Sequence, residues 1–254
     1  MNMTAPSSGR ATSFLTARPI AHRGLHDPAK GVIENTASAF AAAIAGNYAI
    51  ECDLQITRDS EAVVFHDEEL GRITEGQGLV KDLTAAEIKA LTIRGTTDHV
   101  QTLAELLAQV DGKVPLVIEL KSHWDGDLTL VNRALAGLRD YRGLYGLMSF
   151  DPNVIAAVRE ASPQTIRGIV ADRAFDPFYE TLPLQQQIEL RTFGFMRRAA
   201  PDFISFYFDE LPHAPVTAFR ASGKPVISWT IRSAEQARTA LRQSDQITFE
   251  GFIA

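Results

Sequence analysis

The chain has 254 residues, 25 Lys and Arg against 31 Asp and Glu, a formal net charge of −6, 45% hydrophobic and 22% charged residues. That length and mixture suit a globular protein with a sizeable core, and the acidic balance argues against nucleic acid as the main partner. A phosphate ligand stays open, since a local basic pair or a bound metal overrides a diffuse field.

From the start, residues 1–12 are small and polar and read as a mobile leader. No basic head precedes an apolar segment, so no secretory signal is expected, and no stretch is long and apolar enough for a transmembrane segment. Cys52 is the only cysteine. It excludes an intrachain disulfide and, with the missing signal, predicts a cytoplasmic chain with a reduced core thiol.

Nine short β-rich runs follow, at residues 19–24, 49–57, 62–67, 114–121, 145–150, 166–171, 202–208, 225–231 and 246–249. Between them lie helix starts: Thr84 with Glu87, Thr102 with Glu105 and Ser233 with Gln236 as capping boxes, and Asp151 before Pro152. Asn35 and Thr36 begin a helix carrying Phe40 and Ile44. This alternation predicts an α/β fold, an imperfect TIM-type (β/α)8 barrel forming a single domain over residues 1–254. "HRGLHD" lacks the Gly-x-Gly-x-x-Gly turn of a dinucleotide fold. Nine runs exceed the barrel's eight by one, so one is accessory or misread. Residues 68–100 read as a small insertion after the third strand, with Gly71, Gly76, Gly78 and one short helix after Thr84.

The chemistry concentrates in "IECDLQITRDSEAVVFHD", residues 50–67. On a strand Glu51 and Asp53 share one face, and Cys52 and Leu54 the other. Only "RDSE" separates the two runs, so they form a hairpin. A two-residue loop at Asp59-Ser60 places Asp53 opposite His66 and Leu54 opposite Phe65. A third acid, Glu119, interrupts the apolar run "PLVIELK", where a buried carboxylate needs a partner or a cation, and Lys121 shares its face. Glu51 and Asp53 could also be a solvated strand face, an account that Glu119 resists. Three carboxylates facing one interior suit one divalent cation with oxygen ligands, Mg2+ or Ca2+, better than zinc. His22, in "AHRG", and His66 suit general acid–base work, and Arg23 and Lys121 can hold phosphate oxygens. Together these groups suggest phosphoryl transfer. His26, His99, His123 and His213 read as loop residues without chemistry.

"AHRG", "ENTASAF", "IECDLQITRD", "VVFHD", "GLVKDLTAAEIKAL", "TLAELL", "PLVIELK", "SFD" and "WTI" stand in the order seen in glycerophosphodiester phosphodiesterases, and the chain resembles that family from about residue 18 to residue 231. The resemblance implies hydrolysis of a small-molecule glycerophosphodiester to glycerol 3-phosphate and an alcohol. It places His22 and His66 as the catalytic pair and Glu51, Asp53 and Glu119 as metal ligands. Arg23 and Lys121 fall at phosphate-binding positions, and Glu34 of "ENT" at a site-lining one. It further implies that one histidine assists attack by the glycerol 2-hydroxyl while the other protonates the leaving alcohol. Trp229 either stacks on the glycerol or packs the barrel. Arg232 replaces the asparagine that commonly follows this tryptophan motif, and the late "TD" is lost around Phe249-Glu250; both departures are expected at the rim of the site. Two other readings compete: a related phosphodiesterase acting on lysophospholipids or sugar phosphodiesters, and a catalytically silent barrel that binds phosphorylated metabolites.

Overall fold

The computed structural model describes residues 11–254, so the expected leader lies outside the described residues except for its last two positions. The nine strands are β1 (Ile20–Ala21), β2 (Ala49–Ile56), β3 (Ala62–Val64), β4 (Leu116–Leu120), β5 (Tyr145–Ser149), β6 (Arg167–Ala171), β7 (Phe203–Tyr207), β8 (Val226–Ile231) and β9 (Gln246–Phe249). All but β3 run parallel in a ring, with β9 returning to β1 and β1 to β2. The expected TIM-type barrel is thus closed by eight strands, and the accessory ninth is β3.

Ten α-helices occur among the described residues: α1 (Ala37–Ala45), α2 (Ala85–Lys89), α3 (Leu103–Val110), α4 (Thr129–Leu138), α5 (Pro152–Ala161), α6 (Pro177–Glu180), α7 (Leu184–Thr192), α8 (Met196–Ala199), α9 (Ala214–Ala221) and α10 (Ala234–Ala240). None is long and apolar enough to cross a membrane. The boxes at Thr84 and Thr102 are complete, and Asp151 caps α5 ahead of Pro152. The box at Ser233 is only half made. Ser233 accepts from the Gln236 amide, but Gln236 accepts from the amide of Arg232, one residue too early.

Strand alternation sorts the core into two layers. Cys52, Leu54, Ile118 and Leu120 face outward and pack with Leu106, Val131 and other helix residues. Cys52 is the buried free thiol that was expected. Ile20, Ala49, Val117, Met148 and Phe203 form a separate inner cluster, joined by Phe14 and Leu15 from the turn ahead of β1. This apolar layer is the floor of the barrel. Two residues further along β1, β2 and β4, the same inward face carries His22, Glu51 and Glu119, which puts the polar groups at the C-terminal mouth.

The hairpin differs from expectation by one residue. β3 pairs antiparallel with β2, but Leu54 faces Val64 and Ile56 faces Ala62. The loop has three residues, Arg58-Asp59-Ser60. Ser60 takes φ +60, its amide donates to Thr57 O at 2.9 Å, and the Glu61 amide donates to Thr57 Oγ1 at 2.9 Å. A left-handed third residue of this kind closes a three-residue hairpin. Asp53 therefore lies opposite Phe65, whose amide donates to Asp53 O at 3.0 Å. His66 reaches the mouth from the segment that leaves β3. Beyond it, Leu70, Val80, Ile88, Ile93 and Val100 pack with Val63 and Phe65 as a third cluster, distinct from both barrel layers.

Candidate active site

After Ala21 the chain turns sharply, with Arg23 at φ +53 and Gly24 at φ +80. A Cβ on Gly24 would stand 2.8 Å from Ala39 Cβ, so the close approach of α1 requires glycine here. The turn raises His22 into the mouth and aims the Arg23 amide at Glu51 Oε2, 2.9 Å away. β2 contributes Glu51 and Asp53, and β4 contributes Glu119, with Lys121 one pleat further on.

Carboxylate oxygens of Glu51, Asp53 and Glu119 lie within 4.8 Å of one another, and all three residues are buried. Lys121 Nζ bridges Asp53 Oδ1 at 2.8 Å and Glu119 Oε1 at 2.6 Å. Arg23 places Nε 3.5 Å from Asp53 Oδ2 while Nη1 pairs with Glu34 at 2.8 Å. Two cations thus serve three buried carboxylates, and one of the two is shared with a fourth. Burial, then the like charges of Asp53 and Glu119, pushes Glu51 well above the usual carboxyl range. Burial raises Glu119 too, against the pull of Lys121. Asp53 is also buried, but Lys121, His66 and Arg23 hold it well below that range. A hard divalent ion fits this donor set: its ligands are all oxygen, and its charge would offset the repulsion centred on Glu51.

The histidines are held alike. His22 Nδ1 stands 2.5 Å from Glu250 Oε2, and His66 Nδ1 stands 2.8 Å from Asp67 Oδ1. An ionised carboxylate only accepts, so each Nδ1 carries the proton and each Nε2 offers a lone pair. His22 Nε2 lies 4.0 Å from Glu51 Oε2. Burial lowers the basicity of both rings, opposed chiefly by Glu250 at His22 and by Asp53 at His66.

The structure gathers all nine expected site residues around this mouth, Glu34 through its ion pair with Arg23. Trp229 has packing duties: Nε1 donates to Ser205 O at 3.1 Å, and its ring meets Phe150 edge-on at 5.6 Å. Three contacts escaped the sequence reading. Asn35 does more than open a helix. It sits at φ +55, and its side-chain amide donates to Asp53 Oδ2 at 2.9 Å. His26 Nε2 lies 3.5 Å from Glu250 Oε2. Glu250, expected at the rim, reaches inward to His22 and holds Arg232 at 2.8 Å through its other oxygen.

Two cavities open from the mouth and share His66, Glu119, Lys121 and Phe150. One, of about 240 Å³, contains His22, Arg23, Glu51 and Trp229. The other, of about 400 Å³, runs out past Trp124 and Phe178.

The model of the Glycerophosphoryl diester phosphodiesterase family matches residues 22–245. The chain belongs to that family. The expectation of a phosphoric diester hydrolase stands with it. Among its relatives, the glycerophosphodiester phosphodiesterase of Caldanaerobacter subterraneus subsp. tengcongensis is 28% identical over 234 residues, 88% of this chain and 89% of that protein. An Oleispira antarctica phosphodiesterase, solved in complex with the product sn-glycerol-3-phosphate, has a TM-score of 0.77 at 20% identity, over 93% of this chain and 94% of that one. The glycerophosphodiester phosphodiesterase of Thermotoga maritima has a TM-score of 0.68 at 22% identity, over 91% and 92%. Both structural likenesses show the shared barrel. Glu250 lies beyond the last matched residue of this glycerophosphoryl diester phosphodiesterase family member.

Proposed function

We propose that the chain hydrolyses glycerophosphodiesters to glycerol 3-phosphate and an alcohol, with His22 and His66 as the acid–base pair and Mg2+ or Ca2+ held by Glu51, Asp53 and Glu119. The observation that carries this is the pairing of two histidines, each with Nδ1 tied to its own carboxylate, beside a buried carboxylate triad flanked by Arg23 and Lys121. Acid–base attack on a phosphodiester monoanion, which gains a second negative charge as the new bond forms, needs both parts.

Arg23 and Lys121 bind the non-bridging phosphate oxygens, Glu34 steadies the Arg23 guanidinium, and Trp229 walls the glycerol. The bound cation would add charge neutralisation at the phosphate. One histidine takes the proton of the glycerol 2-hydroxyl as its oxygen bonds to phosphorus. The other, which must enter the step as the imidazolium with a second proton on Nε2, gives that proton to the departing alcohol as the ester bond breaks. Water then opens the cyclic phosphate with the two roles exchanged, which restores both rings.

The test is release of glycerol 3-phosphate from glycerophosphocholine, with and without chelator. His22→Ala and His66→Ala should each lower kcat by about 10²–10⁴. Turnover indifferent to chelator would overturn the metal assignment. No turnover on any diester would overturn the hydrolase reading in favour of a binding barrel. Brisk hydrolysis of a diester lacking the neighbouring hydroxyl would contradict the cyclic route.

A further inference from the structure

The larger cavity has no part in the acid–base step described above, yet it opens directly onto it. His66 borders both cavities, whereas His22 borders only the smaller one. With phosphate and glycerol in the smaller cavity, the larger one, reached past His66, is the adjoining space open to a leaving alcohol.

Its far wall is aromatic and acidic. Trp124 and Phe178 present rings 6.0 Å apart and inclined at 55°, and Tyr179 meets Phe178 at 5.7 Å and 71°. Trp124 is held at φ +59, its amide donating to Ser122 Oγ at 3.0 Å, and Ser122 is bonded in turn to Asp151 at 2.7 Å. The loop is thus built to hold the indole where it stands. Phe178, on the short helix α6, remains 47% exposed, although a large apolar ring gains by burial. Asp172 accepts from Tyr179 Oη at 3.0 Å and from the Ala174 amide, and Asp176 accepts from the Phe178 amide at 2.9 Å. Among the described residues neither aspartate pairs with a basic side chain. The cavity's one lysine, Lys121, stands at the near end between Asp53 and Glu119.

We propose that this cavity is the leaving-group subsite and that it selects alcohols bearing an alkylammonium group, of the choline and ethanolamine type, over neutral polyols. The inference rests on the hydrolase reading above and deepens it. Aromatic faces attract a quaternary ammonium through their negative quadrupole, and the two aspartates add Coulomb attraction. A neutral polyol gains neither term, and an acidic headgroup is repelled. The same placement makes His66 the acid toward the leaving alcohol and His22 the base toward the glycerol hydroxyl.

Two measurements on the full chain test it. The first compares kcat/KM for glycerophosphocholine with that for glycerophosphoglycerol. Wild type should favour the choline diester about tenfold or more, and Phe178→Ala and Asp176→Asn should each shrink that ratio severalfold. Asp176→Asn keeps the cap acceptor of α6 and removes only the charge. The second follows, by calorimetry, binding of choline and of its neutral isostere 3,3-dimethylbutanol. Choline should bind more tightly, and Asp176→Asn should narrow the difference. Equal turnover of both diesters, or equal binding of choline and the isostere, overturns the subsite and leaves the hydrolase reading standing. Selective choline binding without turnover of any diester sinks the hydrolase reading and the leaving-group role with it, and leaves an ammonium-binding cavity.

Discussion

Glu250 holds His22 through one carboxylate oxygen and Arg232 through the other, so one side chain sets both the tautomer and the orientation of a ring proposed to be catalytic. Glu250→Gln keeps the size and one acceptor but removes the charge. We expect kcat to fall on the order of 10² with KM nearly unchanged, read from steady-state kinetics; a rise confined to KM would make Glu250 a substrate contact instead. Nothing near Glu250 in the chain announced this role, because its partner lies 228 residues away. Asn35 was hidden differently: its helix-opening position explained it well enough that its second bond, to Asp53, went unsought. Glu51, Asp53 and Glu119 were legible because acids on otherwise apolar strands have few tolerable explanations.

At the scale of elements, local chemistry that closes within four residues was largely readable, the half-made box at Ser233 excepted, and geometry that depends on a loop was not. The boxes at Thr84 and Thr102 formed as their spacing implied. The β2–β3 register slipped by one because Ser60 accepts a left-handed conformation that its residue type does not advertise. His66 reached the site all the same, since it lies past the last paired residue of β3 and is freed from the pleat. α3 offers a test of the cap. Burial works against ionisation of Glu105, but Lys89 Nζ at 2.5 Å and the Thr102 amide hold its carboxyl below the usual 4.5. Its folded value being depressed, the stability it supplies is complete above 4.5 and fades as pH falls through the lower folded value. Glu105→Ala should therefore lower the Tm at pH 7 and make less difference at acid pH. Equal losses at both would assign the effect to the side chain's packing and uncharged contacts rather than to its ionised carboxylate.

For the whole molecule, strand–helix alternation disclosed the barrel, since a period of this kind survives errors of a residue or two at every boundary. Nine candidate strands proved to be nine, with the accessory one unassignable until pairing was seen. Concentrating three acids in the mouth has a stability consequence. Glu51→Gln should raise the Tm in chelator by relieving like-charge repulsion, while abolishing turnover. Wild type should gain roughly 5–10 °C at a cation concentration a hundred times its Kd, and Glu51→Gln much less; equal metal shifts in both would remove Glu51 from the ligand set. The separate cluster beneath residues 68–100 gives the molecule a second kind of vulnerability. His22 is carried by the barrel wall, whereas His66 and Asp67 leave β3 on a lobe with its own interior, where Arg72 holds Asp67 and reaches across to Glu34 at the barrel mouth. The proposed acid and base therefore ride on two separately packed bodies, of which we expect the smaller lobe to be the less resilient. In a urea titration, turnover should fail while the far-ultraviolet signal of the barrel persists, and Arg72→Ala should widen the interval between the two midpoints. A single shared midpoint would mean that lobe and barrel melt together.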